Sequence, residues 1–240
     1  MALELHLLRD YLSRFSIDLS QIQAEQFNEY YELLIEKNKV MNLTTIIDPL
    51  EVEVKHFIDS MTLLELALPQ SGTRILDLGT GAGFPGIPIK IIFPDIEITL
   101  LDSLNKRIVF LNEVIEKLAL DKVKTRHGRA EEMAQSDEFR ESYDLVVSRA
   151  VANLSTLCEY CIPFVKVHGS FIAYKADRSE AELSQAKNAI ELLGANINKT
   201  IFLELPGKNN EKRCLIDIKK IRHTAKRFPR KAGIPSKDPL

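Results

Sequence analysis

The residues best suited to chemistry lie in one run, Asp77-Leu78-Gly79-Thr80-Gly81-Ala82-Gly83-Phe84-Pro85-Gly86. Four glycines follow a β-rich segment (74–78) and precede an apolar, helix-like one (87–93). Glycine allows a backbone to approach a ligand closely and to adopt positive φ. Three readings compete. Gly81 to Gly86 spells G-x-G-x-x-G, the dinucleotide fingerprint, and Asp102 stands about where a ribose-binding carboxylate belongs. Read from Asp77, the same run is D-x-G-x-G, the form in which a loop cradles the methionine portion of S-adenosylmethionine. In that form Asp77 complements the ammonium or sulfonium charge, directly or through water. The third reading is a glycine turn with no ligand.

The ends of the following strands favour the second reading. Asp102 closes the second β-rich run, and a carboxylate can accept from two ribose hydroxyls at once. Gly128-Arg129-Ala130-Glu131 follows the third, where an adenine would lie. Ser148-Arg149-Ala150-Val151 follows the fourth, where a methyl-accepting base would sit. It lacks the N-P-P-Y pattern of exocyclic-amine methylation. Methylation of a pyrimidine carbon needs a cysteine nucleophile, but Cys158 and Cys161 fall well past the strand end in a helix-like stretch. With no second pair or His cluster beside them, they read as buried thiols rather than metal ligands. Guanine N7 needs less: its lone pair is free at neutral pH, so alignment of donor and acceptor suffices and no general base is required.

The positioning elements follow from hydrophobic period. Leu3, Leu7, Leu8, Tyr11, Leu12 and Phe15 mark a first helix, and a second opens at Ser20 with Gln23 in the capping-box position. A third covers 50–68. Strands are expected at 74–78, 96–102, 123–126, 143–148, 169–174, 200–205 and 213–219, with helices at 106–118 and 180–193. Alternating strands and helices imply a doubly wound, mostly parallel α/β sheet; together with the D-x-G-x-G reading of the loop, the expected fold is the Rossmann-like one of class I methyltransferases. The last two strands, joined by the turn Pro206-Gly207-Lys208-Asn209-Asn210, are too close for a parallel crossover, so the last strand is antiparallel. The organisation expected is an N-terminal helical extension (1–70) packed on a core (71–224), with a basic tail (225–240), all one structural unit.

Composition is ordinary for a soluble globular chain, 45% hydrophobic and 28% charged. There is no signal-peptide pattern and no spanning apolar run, and three cysteines suit a reducing compartment, so a cytoplasmic location with no membrane association is expected. The net charge of −2 conceals an asymmetry. From Lys199 to Leu240 there are 12 Lys and Arg against 4 Asp and Glu, while the preceding residues carry −10. A basic end on an acidic body suits a polyanion.

Taken together the chain resembles the RsmG (GidB) family of 16S rRNA guanine-N7 methyltransferases. The resemblance rests on Asn42-Leu43-Thr44, His56 with Asp59-Ser60, the run 75–88, Asp102-Ser103 with Lys106-Arg107 and Phe110-Leu111, Gly128 to Glu131, Ser148 to Val151, and the closing Phe228-Pro229-Arg230-Lys231-Ala232-Gly233-Ile234-Pro235. Phe228 stands where tyrosine is expected. The resemblance implies S-adenosylmethionine as cofactor, with contacts at Gly79, Phe84, Ala130, Glu131 and Arg149. The strand-end reasoning adds Asp77 and Asp102. It implies 16S rRNA or the small ribosomal subunit as partner, with no obligate protein partner and no metal. Arg227, Arg230, Lys231, Lys106 and Arg107 are the candidate RNA contacts, and Phe228 could stack on a base. His56 is either a packed residue or a functional one. A dinucleotide-dependent (NAD) oxidoreductase and a non-catalytic RNA-binding protein with this fold are the alternatives.

Overall fold

The computed structural model describes residues 3–149, 152–176, 179–207 and 211–240. Ala150 and Val151 of the fourth strand-end motif, and Lys208, Asn209 and Asn210 of the last turn, lie outside the described residues.

Seven strands form one sheet in the order β3-β2-β1-β4-β5-β7-β6. They are β1 (Arg74–Leu78), β2 (Glu97–Asp102), β3 (Val123–His127), β4 (Tyr143–Arg149), β5 (Val165–Ala176), β6 (Ala195–Glu204) and β7 (Lys212–Lys220). The first five pair in parallel, and β7 runs antiparallel between β5 and β6. The chain therefore reverses its winding between β1 and β4, which opens a crevice beyond their carboxyl ends. β6 starts at Ala195, five residues before the expected Thr200, because Asn196 and Asn198 hide a strand that a bulge between Ile197 and Lys199 lets pair.

Alternation along β1 shows how the sheet divides the interior. Ile75 joins Ile98, Leu100 and Val147 in a core shared with α1 (His6–Ser13), α2 (Gln21–Met41), α5 (Gly86–Ile92) and α6 (Asn105–Lys117). Leu76 and Leu78 join Val146, Phe171 and Ala173 on the opposite face, under α8 (Leu154–Cys161) and α9 (Ser179–Leu192). The period of two places successive side chains on opposite faces. Cys158, Cys161 and Cys214 are buried thiols, and burial pushes Cys158 and Cys161 up, away from thiolate chemistry.

Ser20 caps α2 as expected: its hydroxyl accepts from the Gln23 N–H while the Gln23 side chain accepts from the Ser20 N–H. The third helical stretch is less regular than its apolar period suggests. It opens as α3 (Pro49–Val52), widens into a π-helical turn (Glu53–Ile58), returns as α4 (Asp59–Met61) and tightens into a 3-10 turn (Thr62–Glu65). The Asp59 N–H reaches back five residues to the Val54 carbonyl. Wide turns of this kind recur at functional sites because they re-aim side chains. Here the turn carries Lys55 and His56 and delivers Asp59.

The C-terminal segment lies folded against the core. Phe228 is buried in the second core cluster, so it does not offer a ring to a base. Arg230 is likewise a structural residue rather than an RNA contact. Its backbone N–H, Nε and Nη2 all donate to the Glu159 carboxylate, at 2.7 to 3.1 Å, and Glu159 has no solvent exposure. Glu131 accepts from the Gly233 N–H (2.9 Å), and Thr156 Oγ1 donates to the Pro235 carbonyl (2.9 Å). A short last helix, α10 (Ile234–Lys237), completes the strap.

Removing the guanidinium strands a buried carboxylate, which is more costly than never having had the pair. Arg230→Ala should lower unfolding free energy by about 3 kcal/mol in urea titrations. A change in RNA affinity at unaltered stability would instead put Arg230 at an RNA surface.

Candidate functional site

The glycine loop is closed by Asp77. This carboxylate has no exposure, and its Oδ2 accepts from Thr80 Oγ1 (2.6 Å) and from the Gly86 N–H (2.8 Å), bridging the two sides of the loop. Oδ1 is buried without a partner. Burial raises the Asp77 carboxyl to about 7, opposed by the Thr80 and Gly86 hydrogen bonds. Asp77 thus clamps the loop through Oδ2. Gly86 must be glycine, since a Cβ there would stand 2.5 Å from Leu100 Cδ2 and 2.7 Å from Asp77 Oδ2. Gly79 and Gly81 take φ of 71° and 62°, the left-handed region.

Two clefts flank the switch point. The smaller, about 150 Å³, lies beyond β1, β2 and β3 and is lined by Gly79, Asp102, Ser103, Arg129, Ala130 and Glu131, among others. It brings together four of the seven expected cofactor residues. Its Asp102 is buried and already engaged: Oδ2 accepts from the Gly81 N–H (2.9 Å), Oδ1 from the Leu104 N–H (2.9 Å), and Arg107 pairs with it at 3.1 Å. Arg107, expected among the RNA contacts, is thus paired with the cleft wall. Lys106 is exposed and reaches the Met41 carbonyl. Tyr160 on α8 also lines this cleft.

The larger cleft, about 530 Å³, lies beyond β4, β5 and β7. Arg149 enters it from the end of β4. Nη1 donates to Asp59 Oδ2 (3.0 Å) and to the Lys55 carbonyl (3.1 Å), and the guanidinium lies over the Phe84 ring (5.1 Å). Asp59, almost fully buried, is shared: Oδ1 accepts from Arg213 Nε (3.1 Å). Lys55 pairs with Glu51 and Glu211, and Lys175 with Glu182. Four cations and two carboxylates line the space, and Glu51 and Glu211 pair with the cations from its edge, so each cation is matched by a carboxylate that an entering anion would have to displace.

His56 connects this cleft to the glycine loop. Its ring stacks on Phe84 at 4.3 Å between centroids. Nε2 meets Thr44 Oγ1 at 2.9 Å, and Nδ1 faces Arg149 Nη2 at 3.4 Å. Arginine can only donate, so Nδ1 carries the lone pair and Nε2 the proton. Burial, and then the Arg149 charge, push the imidazole down to about 3. His56 is a neutral packing and hydrogen-bonding group throughout the physiological range. Phe84 presents its ring to this larger cleft's residues and is absent from the lining of the smaller one.

Arg213, Lys55, Lys175 and Tyr160 escaped the sequence reading. Arg213 comes from the antiparallel strand and reaches the site through its register opposite Ala176. No local motif marks it. Lys55 lies one residue from His56, and only the π turn brings both into the cleft. Of the remaining tail cations, Arg227 lies over the Phe228 ring at 5.0 Å, and Lys231 is exposed. Among the described residues no group of three or more His, Cys, Asp or Glu could hold a metal ion. Among them, no helix is long and apolar enough to cross a membrane.

Asp77→Asn preserves an acceptor for Thr80 and Gly86 and removes the titration. Because the folded carboxyl (about 7) lies above its ordinary 3.8, the folded state holds a proton that the unfolded state has released between those values. Stability therefore falls as pH rises through that window. The wild-type minus variant difference in unfolding free energy should decline from pH 4 to 7 and level off above. A difference that stays flat across the window would refute the buried-clamp assignment.

Comparison with known proteins places the chain. A family model described as "GidB: rRNA small subunit methyltransferase G" matches residues 23–220. A ribosomal RNA small subunit methyltransferase G from Desulforamulus reducens is 50% identical over 97% of this chain and 97% of its own length. One from Lachnoclostridium phytofermentans is 50% identical over 95% of this chain and 94% of its own. Among solved structures, M. jannaschii TYW2, crystallised in complex with AdoMet, superposes with a TM-score of 0.52 at 15% identity, covering 64% of this chain and 72% of that one. That likeness concerns the fold.

Proposed function

We propose, from the premise that the chain belongs to the GidB family of rRNA small subunit methyltransferases, that it transfers a methyl group from S-adenosylmethionine to N7 of a guanine in the decoding-site loop of 16S rRNA. The observation that carries this reading is the pair of clefts on either side of the β1–β4 switch point. The smaller has the wall a nucleoside-containing cofactor needs, and the larger, lined by Arg149 and Arg213, lies beside it. S-adenosylmethionine, when bound, supplies an activated methyl on its sulfonium. Gly79, Asp102, Ala130 and Glu131 would hold it in the smaller cleft, with Asp77 keeping the loop in shape and Phe84 supporting the loop from the other side.

The acceptor cleft suits a base that needs no deprotonation. His56, held near 3 and facing a guanidinium, is a weak base, and Asp59 is shared between Arg149 and Arg213. Guanine N7 has a free lone pair, so the residues need only orient the base and exclude water. Arg149 and Arg213 can donate to the guanine O6 or to a phosphate on exchanging Asp59. Lys231 and Arg227 on the exposed side of the strap, with Lys106, are the proposed phosphate contacts, and the cytoplasm is the expected location. The membership of the rRNA methyltransferase family is what weighs against a dinucleotide.

The test is methylation of small subunits from cells lacking the modification, with the product nucleoside identified by mass spectrometry. Appearance of 7-methylguanosine is expected, and a different methylated nucleoside would overturn the N7 assignment.

Gly79→Asp places a carboxylate in the smaller cleft, where the methionine portion would lie. Calorimetric titration should show cofactor affinity reduced by at least about 100-fold, equivalent to roughly 3 kcal/mol. Unchanged affinity in a folded variant would remove Gly79 from the cofactor site.

A further inference from the structure

A third cavity, about 270 Å³, opens on the sheet face at the opposite end of β1, β2 and β3. Its floor is Ile98, Thr99, Phe139 and Tyr143, and its rim is Arg74, Lys122, Lys124 and Arg126 with Glu97 and Glu138. We propose that this groove is a second RNA-binding site, which grips backbone phosphates of the rRNA away from the nucleotide that is methylated. The proposal rests on the reading that the substrate is rRNA.

The alternation of the edge strand builds the groove. Lys124 and Arg126 occupy alternate positions of β3 and so share one face, opposite Val123, which packs into the first core, and Lys122, in the turn just before the strand, lines the same groove. Thr99 and Arg74 are brought to the same face by register, Thr99 beside Lys124 and Arg74 beside Glu97. In a doubly wound sheet a crossover helix ordinarily covers such a face. Here the connection from β3 to β4 contains only the four-residue α7 (Ala130–Met133), and the face stays open.

The cations are presented rather than consumed. Among the described residues Lys122 and Lys124 have no carboxylate within ion-pair distance and are exposed. Arg74 lies 5.4 Å over the Tyr143 ring and Arg126 5.8 Å over Phe139, which holds both guanidinium planes against the floor. Their own ion pairs are loose: Arg74 to Glu97 at 3.9 Å and Arg126 to Glu138 at 3.3 Å, with both carboxylates more than half exposed. Residues 1–198 carry a net −10, so a groove with four cations and two carboxylates is a local inversion of the surrounding field. Planar guanidiniums on rings, flanked by free ammoniums, suit a phosphate chain with adjacent bases better than a single small anion.

The test compares two charge-matched pairs in the full chain. Lys122→Asn with Lys124→Gln removes two groove charges, and asparagine tolerates the left-handed φ of 56° at position 122. Lys187→Gln with Lys199→Gln removes two exposed charges elsewhere. Binding to a full-length 16S rRNA transcript is measured by filter retention across a salt series, with thermal unfolding as the folding control. Binding is read without turnover, so a failure of methyl transfer leaves the comparison intact. The groove pair should weaken binding by about ten-fold and lower the slope of log affinity against log salt by about 1.5, while the other pair changes affinity by less than about three-fold. Equal losses from the two pairs, or none from the groove pair, would overturn the assignment and leave the groove to an acidic protein surface.

Discussion

Both clefts depend on one buried carboxylate. Asp77 closes the glycine loop by accepting from Thr80 and Gly86 at once, and the loop then faces two ways. On one side Gly79 lines the smaller cleft and the Gly81 N–H meets Asp102. On the other Phe84 carries His56 and Arg149. A carboxylate in this position is costly, because its second oxygen has no partner and burial drives it toward the protonated form. Gly86 shows how little slack remains, since any side chain there meets the Asp77 carboxylate or Leu100. That cost accompanies a loop thin enough to wall both clefts from opposite sides.

The N-terminal helices supply half of the second cleft, so they are part of the site rather than a covering. Tyr30 on α2 donates to the Ala82 carbonyl of the glycine loop, and Gln23 to the Ile91 carbonyl of α5. The π turn then sets Lys55, His56 and Asp59 against Arg149 and Arg213, residues contributed by β4 and β7. Asp59 is where these three parts of the chain meet. A buried carboxylate with one arginine removed is left underpaired, which makes each of the three parts sensitive to loss of the others. The arrangement ties assembly of the acceptor cleft to completion of the whole sheet, because β7 is the last strand of the chain.

The strands, their parallel run with an antiparallel end, and the smaller cleft were legible in the sequence for a common reason. Period-two alternation, glycine spacing and strand-end carboxylates are local signals, and β1 begins and ends where its residues say. The acceptor cleft was half legible. Arg149 follows from its strand end, but Arg213 reaches the site only through antiparallel register, and no spacing rule reports that. The π turn is invisible for a similar reason, since one extra residue in a turn leaves the apolar pattern nearly intact. The basic tail misled most. Composition counts cations without saying what they face, and Arg230 faces Glu159, seventy-one residues away in sequence. A buried acid on a distant helix converts a seemingly free cation into a structural one.

That distinction bears on how an acidic chain can hold a polyanion. With a net charge of −2, non-specific attraction is weak, and affinity has to come from places where cations are both exposed and unpaired. Two groups of such cations stand apart. Lys231 and Arg227 stand on the strap that Glu131 ties beside the smaller cleft, while Lys122 and Lys124 stand at the far end of the sheet. Attraction at two separated places would favour one orientation of a long RNA over its alternatives. A short RNA that reaches only one place gains neither the second contact nor the orientation. Discrimination by length and shape thus follows from charge layout, before any base edge is read.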